Sequence, residues 1–272
     1  MAVAPKTAAP KASGLKAAGA KIRGIGSLIL FVGLILLTAT VSIGSHVWRS
    51  DLPVRTADCD GNRIVARDAV LRLAAVPMDK KLVDVDLGAI RSRVIQNPYF
   101  KEVAVVRDLP NRILIHVDER VPVAMLIAGK TFYVDADGMV MPAIRSEYAF
   151  DLPVITGAAA VQEIKPGKKI VHPALREALQ IVLASQKLGN SVSRRISEIH
   201  LQANGDLVLY TAEFGIPVMF GRGNIIDKLT LLEGFWTGVV SSRGGQSLRA
   251  VDIRFADQVV ARWETSQSSE AH

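Results

Sequence analysis

Two alternating runs decide the fold that this sequence predicts: Val103-Ala104-Val105-Val106-Arg107 and Ile113-Leu114-Ile115-His116-Val117-Asp118. Successive side chains of a β-strand point to opposite faces, so each run forms a strand with one apolar face. The linker between them, Asp108-Leu109-Pro110-Asn111, is short and rich in turn-forming residues. The two runs therefore predict a β-hairpin.

A strand and two helices are expected before the hairpin. Residues 54–62 have the pattern of a short strand. Apolar residues then recur at helical spacing from Val65 to Ala74, and again from Leu87 to Ile95 after Asp86, a suitable N-cap. Asn97-Pro98 ends the second helix, because a proline disfavours helical backbone in the residue before it. The predicted order is β-α-α-β-β, one sheet with two helices on one face.

The pattern changes after Pro122 to short strands interrupted by two longer helices. We expect an antiparallel β-sheet domain that carries the two helices, which makes the whole chain α+β. The predicted strands cover residues 131–135, 139–141, 152–157, 196–201, 207–211, 216–220, 250–255 and 259–263, and the helices cover residues 173–188 and 225–240.

An uncharged run precedes both of these regions. Residues 25–45 contain no charged side chain, whereas residues 1–24 contain five bases and no acid. About twenty apolar residues of helix span a bilayer core, and basic residues keep their flank in the cytoplasm. We therefore expect one transmembrane helix, with everything after Arg49 exported. A cleaved signal peptide is the alternative, although its apolar core would be shorter, about 7 to 15 residues.

These patterns divide the chain into five predicted segments. They are a disordered basic cytoplasmic tail (1–24), a transmembrane helix (25–47), a first domain (53–121), a second domain (122–264) and a disordered polar tail (265–272). We also expect Asp118, Glu119 and Arg120 to form hydrogen bonds where the two domains meet.

Charge and cysteine content argue against nucleic-acid binding and against an internal disulfide. The five bases of the first 24 residues account for most of the net charge of +7 and leave +2 for the rest, too little for a phosphate-binding face. A single cysteine, Cys59, rules out an internal disulfide in the exported part. We expect Cys59 to be a half-buried strand residue.

The sequence contains no recognisable catalytic or metal-binding motif. No two histidines stand at ligand spacing, and Gly221-Arg222-Gly223 does not complete a phosphate-binding or dinucleotide-binding loop. A Gly-x-Ser-x-Gly nucleophile motif is also absent from the sequence. We therefore predict a protein that is not an enzyme and that has no cofactor and no metal.

The last predicted strand, Val259-Val260-Ala261-Arg262-Trp263, is the best candidate for a binding site. A terminal strand often lies at a sheet edge, where its unpaired N–H and C=O groups can accept a strand from a partner. Trp263 and Phe255 are large apolar anchors of the kind that dominate interface energies. Arg254 and Arg262 are candidates to pair with acidic groups of the partner.

Phe255 also has a second interpretation, as ordinary core. Val251, Ile253 and Phe255 would share one face of a continuous strand, and the first two are typical core residues. The sequence alone leaves both interpretations open.

Seven stretches of the chain, taken together and in this order, resemble the bacterial cell-division proteins of the FtsQ/DivIB family. The resemblance implies a POTRA domain over about residues 53–121, followed by a second domain of antiparallel strands with helices. It also implies a single-pass inner-membrane protein at the division septum that has no enzymatic activity. The seven stretches are residues 97–103, 107–111, 117–124, 134–138, 152–157, 220–223 and 251–255.

The resemblance also implies partners. In the family, the final strands receive a strand and a short helix from FtsB, a small coiled-coil protein paired with FtsL. The matching positions here are Arg254, Phe255, Asp257 and Trp263. Phe255 stands where tyrosine is common, and Asp257-Gln258 replaces a small residue and glycine. Apolar anchoring is thus expected to carry over better than polar detail.

Two expectations concern the POTRA domain. By resemblance it would contact the DNA translocase FtsK or other early division proteins, through residues that the sequence does not assign. The alternative is a POTRA-bearing protein of outer-membrane assembly or secretion. The two amphipathic helices after Pro122, together with the absence of regular ten-residue alternating strands, argue against that alternative.

Overall fold

The structure is a computed structural model that describes residues 30–42, 52–144, 150–159, 161, 164–255 and 257–264. Residues 30–42 are helical and form α1. Within the described ranges, no helix is both long and apolar enough to span a bilayer. The two predicted disordered tails, residues 1–24 and 265–272, lie outside the described residues, and so do both ends of the predicted transmembrane helix.

The chain divides into two compact units. The smaller unit joins the described residues before Ala57 to residues 77–85 and 107–112. Its backbone is tied together by Val54, whose N–H donates to the Lys80 carbonyl (2.9 Å). Arg107 donates to the carbonyls of Leu82 (2.8 Å) and Val85 (2.8 Å), which fixes the short 3₁₀ turn between them.

The first sheet has the predicted order of elements. They are β1 (Thr56–Asp60), α2 (Arg67–Ala74), the 3₁₀ turn (Leu82–Asp84), α3 (Leu87–Val94), β2 (Phe100–Asp108) and β3 (Arg112–Glu119). The strands lie in the order β1-β3-β2. Asp86 caps α3 as predicted, accepting from the Ala89 N–H at 3.0 Å. Cys59 lies on β1 as expected, but it is buried and not half-buried.

Glu119, at the end of β3, holds the loop before α2 in place. Its carboxylate accepts from the backbone N–H groups of Arg63 (2.8 Å), Ile64 (2.6 Å) and Val65 (2.9 Å). The next residue, Arg120, donates to the buried Asp135 carboxylate (2.7 Å). Arg120 thus forms a hydrogen bond where the two predicted domains meet, as expected, whereas the hydrogen bonds of Glu119 stay within the first predicted domain.

Among the described residues, the second sheet has nine strands in the order β12-β11-β10-β9-β8-β7-β4-β5-β6. Its first elements are β4 (Pro122–Ala128), β5 (Lys130–Asp135), β6 (Val140–Pro142), β7 (Val154–Thr156), α4 (Pro173–Leu188), α5 (Asn190–Arg195), β8 (Ile196–Leu201) and β9 (Leu207–Thr211). Then follow β10 (Pro217–Gly221), α6 (Ile225–Phe235), a π-helical turn (Trp236–Val240), α7 (Ser241–Arg243), β11 (Leu248–Asp252) and β12 (Val260–Trp263).

The prediction of an antiparallel sheet was wrong, because this sheet is mixed. The pairs β4–β7, β7–β8 and β10–β11 are parallel. A helix that joins two neighbouring strands carries the chain back to the end where the first strand began, so the second strand runs in the same direction. α4 does this between β7 and β8, and α6 between β10 and β11.

The core of this sheet lies against α4 and α6. Leu175 and Ile181 of α4 and Leu229 of α6 are buried in the same apolar cluster as strand residues such as Leu126 and Ile155. Burial of each such side chain contributes about 1.5 to 3 kcal/mol. The two crossover helices therefore hold the strand order.

We predict that Glu119→Ala lowers the free energy of unfolding by about 2 kcal/mol, because it leaves three backbone N–H groups without their charged acceptor. Chemical denaturation of the full chain would measure the change. The control is Glu102→Ala, which removes an exposed carboxylate from neighbouring strand β2. Equal stability of the two variants would contradict the structural role given to Glu119.

Candidate partner-binding edge

β12 forms one edge of the nine-stranded sheet, which confirms the expected position of the last strand. It pairs antiparallel with β11, with Val260 opposite Asp252 and Ala261 opposite Val251. At the other edge, the Val140 N–H of β6 donates to the Lys168 carbonyl at 3.0 Å, so that edge is already covered. Among the described residues, β12 is thus the edge of this sheet that is open to a further strand.

The backbone of β12 offers specific groups to such a strand. The Glu264 N–H donates to the Ser247 carbonyl (2.7 Å), so it points inward toward the chain segment before β11. Backbone groups alternate in direction along a strand. The backbone N–H and C=O groups of Val260 and Arg262 therefore face β11, and those of Ala261 and Trp263 face outward.

Phe255 lies beyond the end of β11 with 54% of its surface exposed, whereas Val251 and Ile253 are fully buried. The core interpretation of Phe255 is therefore wrong. The strand stops because the Asp252 carboxylate accepts from the Arg254 N–H (3.0 Å), which turns the backbone after Ile253. Alternation beyond that point no longer predicts which face a side chain takes.

Arg254 forms an ion pair with Asp252 of the same chain. Its guanidinium makes a two-point contact with that carboxylate, from Nε to Oδ1 (3.0 Å) and from the terminal nitrogen to Oδ2 (2.6 Å). This contact holds the pKa of Asp252 below its ordinary value. The side-chain stem of Arg254 lies against Gly221, where a Cβ would come within 3.0 Å of its Cγ. Arg254 therefore orders the turn from which Phe255 projects.

Trp263 takes the core-facing side of β12. It is half-buried against the sheet's apolar cluster, and the Arg243 guanidinium lies 4.4 Å from its ring centroid. The exposed side chains Val260 and Arg262 occupy the opposite face. Asp257 is exposed in the β11–β12 turn with a positive φ of 56°. The five predicted residues thus lie on one strand and turn, but they differ in exposure.

Three contributing residues were not singled out from the sequence: Asp252, Arg243 and Lys228. The buried Lys228 ammonium donates to the carbonyls of Phe220 (2.9 Å) and Arg222 (2.7 Å) and so fixes the Gly221 turn, while burial lowers its pKa. The spacing of Asp252 and Arg254 was a usable signal for a local ion pair. Arg243 and Lys228 reach the site only through tertiary packing.

One polar cluster resembles a catalytic arrangement. The Thr156 hydroxyl lies 2.5 Å from a Glu198 carboxylate oxygen and 2.8 Å from His200 Nδ1. In a nucleophile–base–acid arrangement the acid orients the base. Here Glu198 and His200 both contact the hydroxyl instead. Among the described residues, no group of His, Cys, Asp and Glu side chains could hold a metal ion.

Comparison with known proteins matches both parts of the chain to one family. A family description for the FtsQ-type POTRA domain matches residues 52–120, and one for the FtsQ/DivIB C-terminal region matches residues 121–262.

The individual relatives that match are cell division proteins named FtsQ. The cell division protein FtsQ of Geobacter sp. (strain M21) is 30% identical over 198 residues, which cover 73% of this chain and 71% of the relative. The FtsQ of Rhodothermus marinus is 28% identical over 231 residues, which cover 82% of this chain and 82% of the relative. That of Geotalea daltonii is 27% identical and covers 74% of this chain and 72% of the relative. The chain therefore belongs to the FtsQ/DivIB family of bacterial cell-division proteins.

Proposed function

We propose that this chain is a non-enzymatic scaffold of the division machinery. It binds division proteins through its exported domains and links them at the septum. β12 accepts a strand from FtsB, which is paired with FtsL, and the POTRA domain contacts FtsK or other early division proteins. The proposed domain limits are 53–121 and 122–264.

The observation that carries this proposal is the open edge at β12 beside an exposed phenylalanine. Main-chain groups of Ala261 and Trp263 face outward, so an added strand gains hydrogen bonds whatever its side chains are. Phe255, 54% exposed at the adjoining turn, adds an apolar anchor. Backbone pairing thus supplies affinity, and the anchor supplies selectivity.

The five proposed contact residues have different roles in this proposal. Phe255 contacts the partner directly, and Arg262 presents its charge beside the added strand. Arg254 and Asp257 shape the turn. Trp263 contributes outward-facing backbone groups, while its half-buried ring packs against the core of the sheet.

The membrane anchor is a further part of the proposal. The apolar run 25–47 and the bases before it support an inner-membrane helix with a cytoplasmic N-terminus. Such an anchor keeps the exported domains at the membrane where division proteins assemble.

We expect Phe255→Ala to weaken binding of the FtsB–FtsL pair by about tenfold or more and to change the free energy of unfolding by less than about 0.5 kcal/mol. Trp263→Ala, by contrast, should lower the free energy of unfolding by about 2 kcal/mol, because its ring packs on the core. Calorimetric titration and denaturation of the full chain separate the two effects. Ile127→Ala removes a comparably exposed apolar group from β4 and is the control for binding. Unchanged affinity in Phe255→Ala would remove the proposed anchor.

A second prediction concerns the backbone of β12. Ala261→Pro removes an outward N–H and should weaken FtsB–FtsL binding by about tenfold or more while β12 stays paired with β11, since prolines are tolerated when their nitrogen faces away from the sheet. Val260→Pro removes an inward N–H and should lower the melting temperature. Normal binding by the folded Ala261→Pro variant would argue against strand addition.

The third prediction is the location of the full chain. On separation of bacterial membranes, it should be recovered with the inner membrane, because a single apolar helix is retained there. Recovery with the outer membrane would favour the alternative of an assembly or secretion protein. Recovery in soluble form after cleavage near residue 44 would favour the signal-peptide interpretation.

A further inference from the structure

Phe214 combines an exposed side chain with an unfavourable backbone conformation. It lies in the turn between β9 and β10 with φ of 65° and 58% of its surface exposed. A bulky side chain rarely takes a positive φ, and such strain clusters at functional sites. The turn is held rigidly, because Thr211 donates its hydroxyl to the Glu213 carbonyl (2.5 Å) and accepts from the Ile216 N–H (3.0 Å).

The phenylalanine ring is seated on a glycine. A Cβ on Gly245 would lie 2.6 Å from Phe214 Cε2, so no larger residue fits beneath the ring in this position. Gly245 is buried, and its carbonyl accepts from the Leu248 N–H at the start of β11 (3.1 Å). Leu248 in turn pairs with Trp263 of β12. Phe214 is therefore connected to the Trp263 end of β12 through Gly245 and Leu248.

Arg243 supplies a positive charge at the same end of β12. Arg243 is exposed, its guanidinium lies over the Trp263 ring at 4.4 Å from the centroid, and among the described residues it forms no ion pair. The neighbouring arginine, Arg249, is in contrast paired with Glu264. A guanidinium over an aromatic ring still has N–H groups that can bind a carboxylate.

We propose that Phe214 and Arg243 form a second contact for the partner strand that β12 accepts. The occupant is the partner segment that flanks the added strand at its Trp263 end, and it carries a carboxylate next to an apolar side chain. The carboxylate binds the N–H edge of Arg243, and the apolar side chain packs on the Phe214 ring. This inference rests on the proposed function and specifies the chemistry of the partner.

Titration of the full chain with the FtsB–FtsL pair tests the charged contact. Arg243→Gln should weaken binding about tenfold and reduce its dependence on salt. Arg243→Glu should weaken binding further, and a lysine in place of the partner's carboxylate should restore it. Arg243→Lys keeps the charge and should stay within about threefold of the original affinity. Arg176→Gln, an exposed arginine on α4, is the control.

Phe214→Asn separates binding from folding. Asparagine tolerates a positive φ, so the melting temperature should stay the same or rise, whereas affinity should fall about tenfold. A lower melting temperature with normal affinity would show that the ring serves the fold alone.

Two results would overturn the inference and leave the proposed function standing. One is normal binding by the Arg243 and Phe214 variants while Phe255→Ala binds poorly. The other is a change in self-association alone, seen by sedimentation, which would assign the surface to a second copy of this chain. Normal binding by Phe255→Ala and Ala261→Pro would instead contradict the proposed function, and this inference with it.

Discussion

The strand order of the nine-stranded sheet depends on the packing of two crossover helices. α4 and α6 bury their apolar faces on the sheet and make β7–β8 and β10–β11 parallel. With β10 and β11 side by side, the last strand has one position left, outside β11. The edge position of β12 thus follows from the packing of α6, which joins the two strands next to it. A protein that binds by strand addition needs such an edge to be stable without its partner.

Local interactions end β11 at Asp252 and order the turn that leads to β12. Asp252 accepts from the Arg254 backbone and side chain, and the Arg254 stem lies over Gly221. Lys228 holds the Gly221 turn from the other side through two carbonyls. Arg254 and Asp252 are thus paired with each other, while Phe255 is exposed in the same turn. This arrangement favours apolar and main-chain recognition at the turn.

The two ends of β12 differ in what they offer. The turn before the strand presents a phenylalanine beside a satisfied ion pair, whereas the end presents an arginine stacked on Trp263 and a strained phenylalanine on Gly245. In the proposed complex, an added strand would therefore meet an apolar anchor at one end and a mixed apolar and cationic surface at the other. That asymmetry would favour one direction of the partner strand over the other.

The sequence by itself determined the elements whose signals are local. Alternating runs and turn residues predicted the β2–β3 hairpin, and helical spacing together with the Asp86 cap predicted α3. The strand β4 was not predicted, because Pro122–Ala128 is nearly continuously apolar and lacks alternation. The resemblance to one family could also be recognised from short stretches in order. Such signals depend only on neighbours in the chain.

Tertiary structure alone decided which strands are parallel and that the Arg243 guanidinium lies over the Trp263 ring. Both depend on partners far apart in sequence, as Arg243 on Trp263 shows. Periodicity predicted that Phe255 shares a face with Ile253, but the Asp252 side chain turned the backbone between them. The physical reason is that a hydrogen bond or a packed face can override local preference, and the sequence pattern records only that preference.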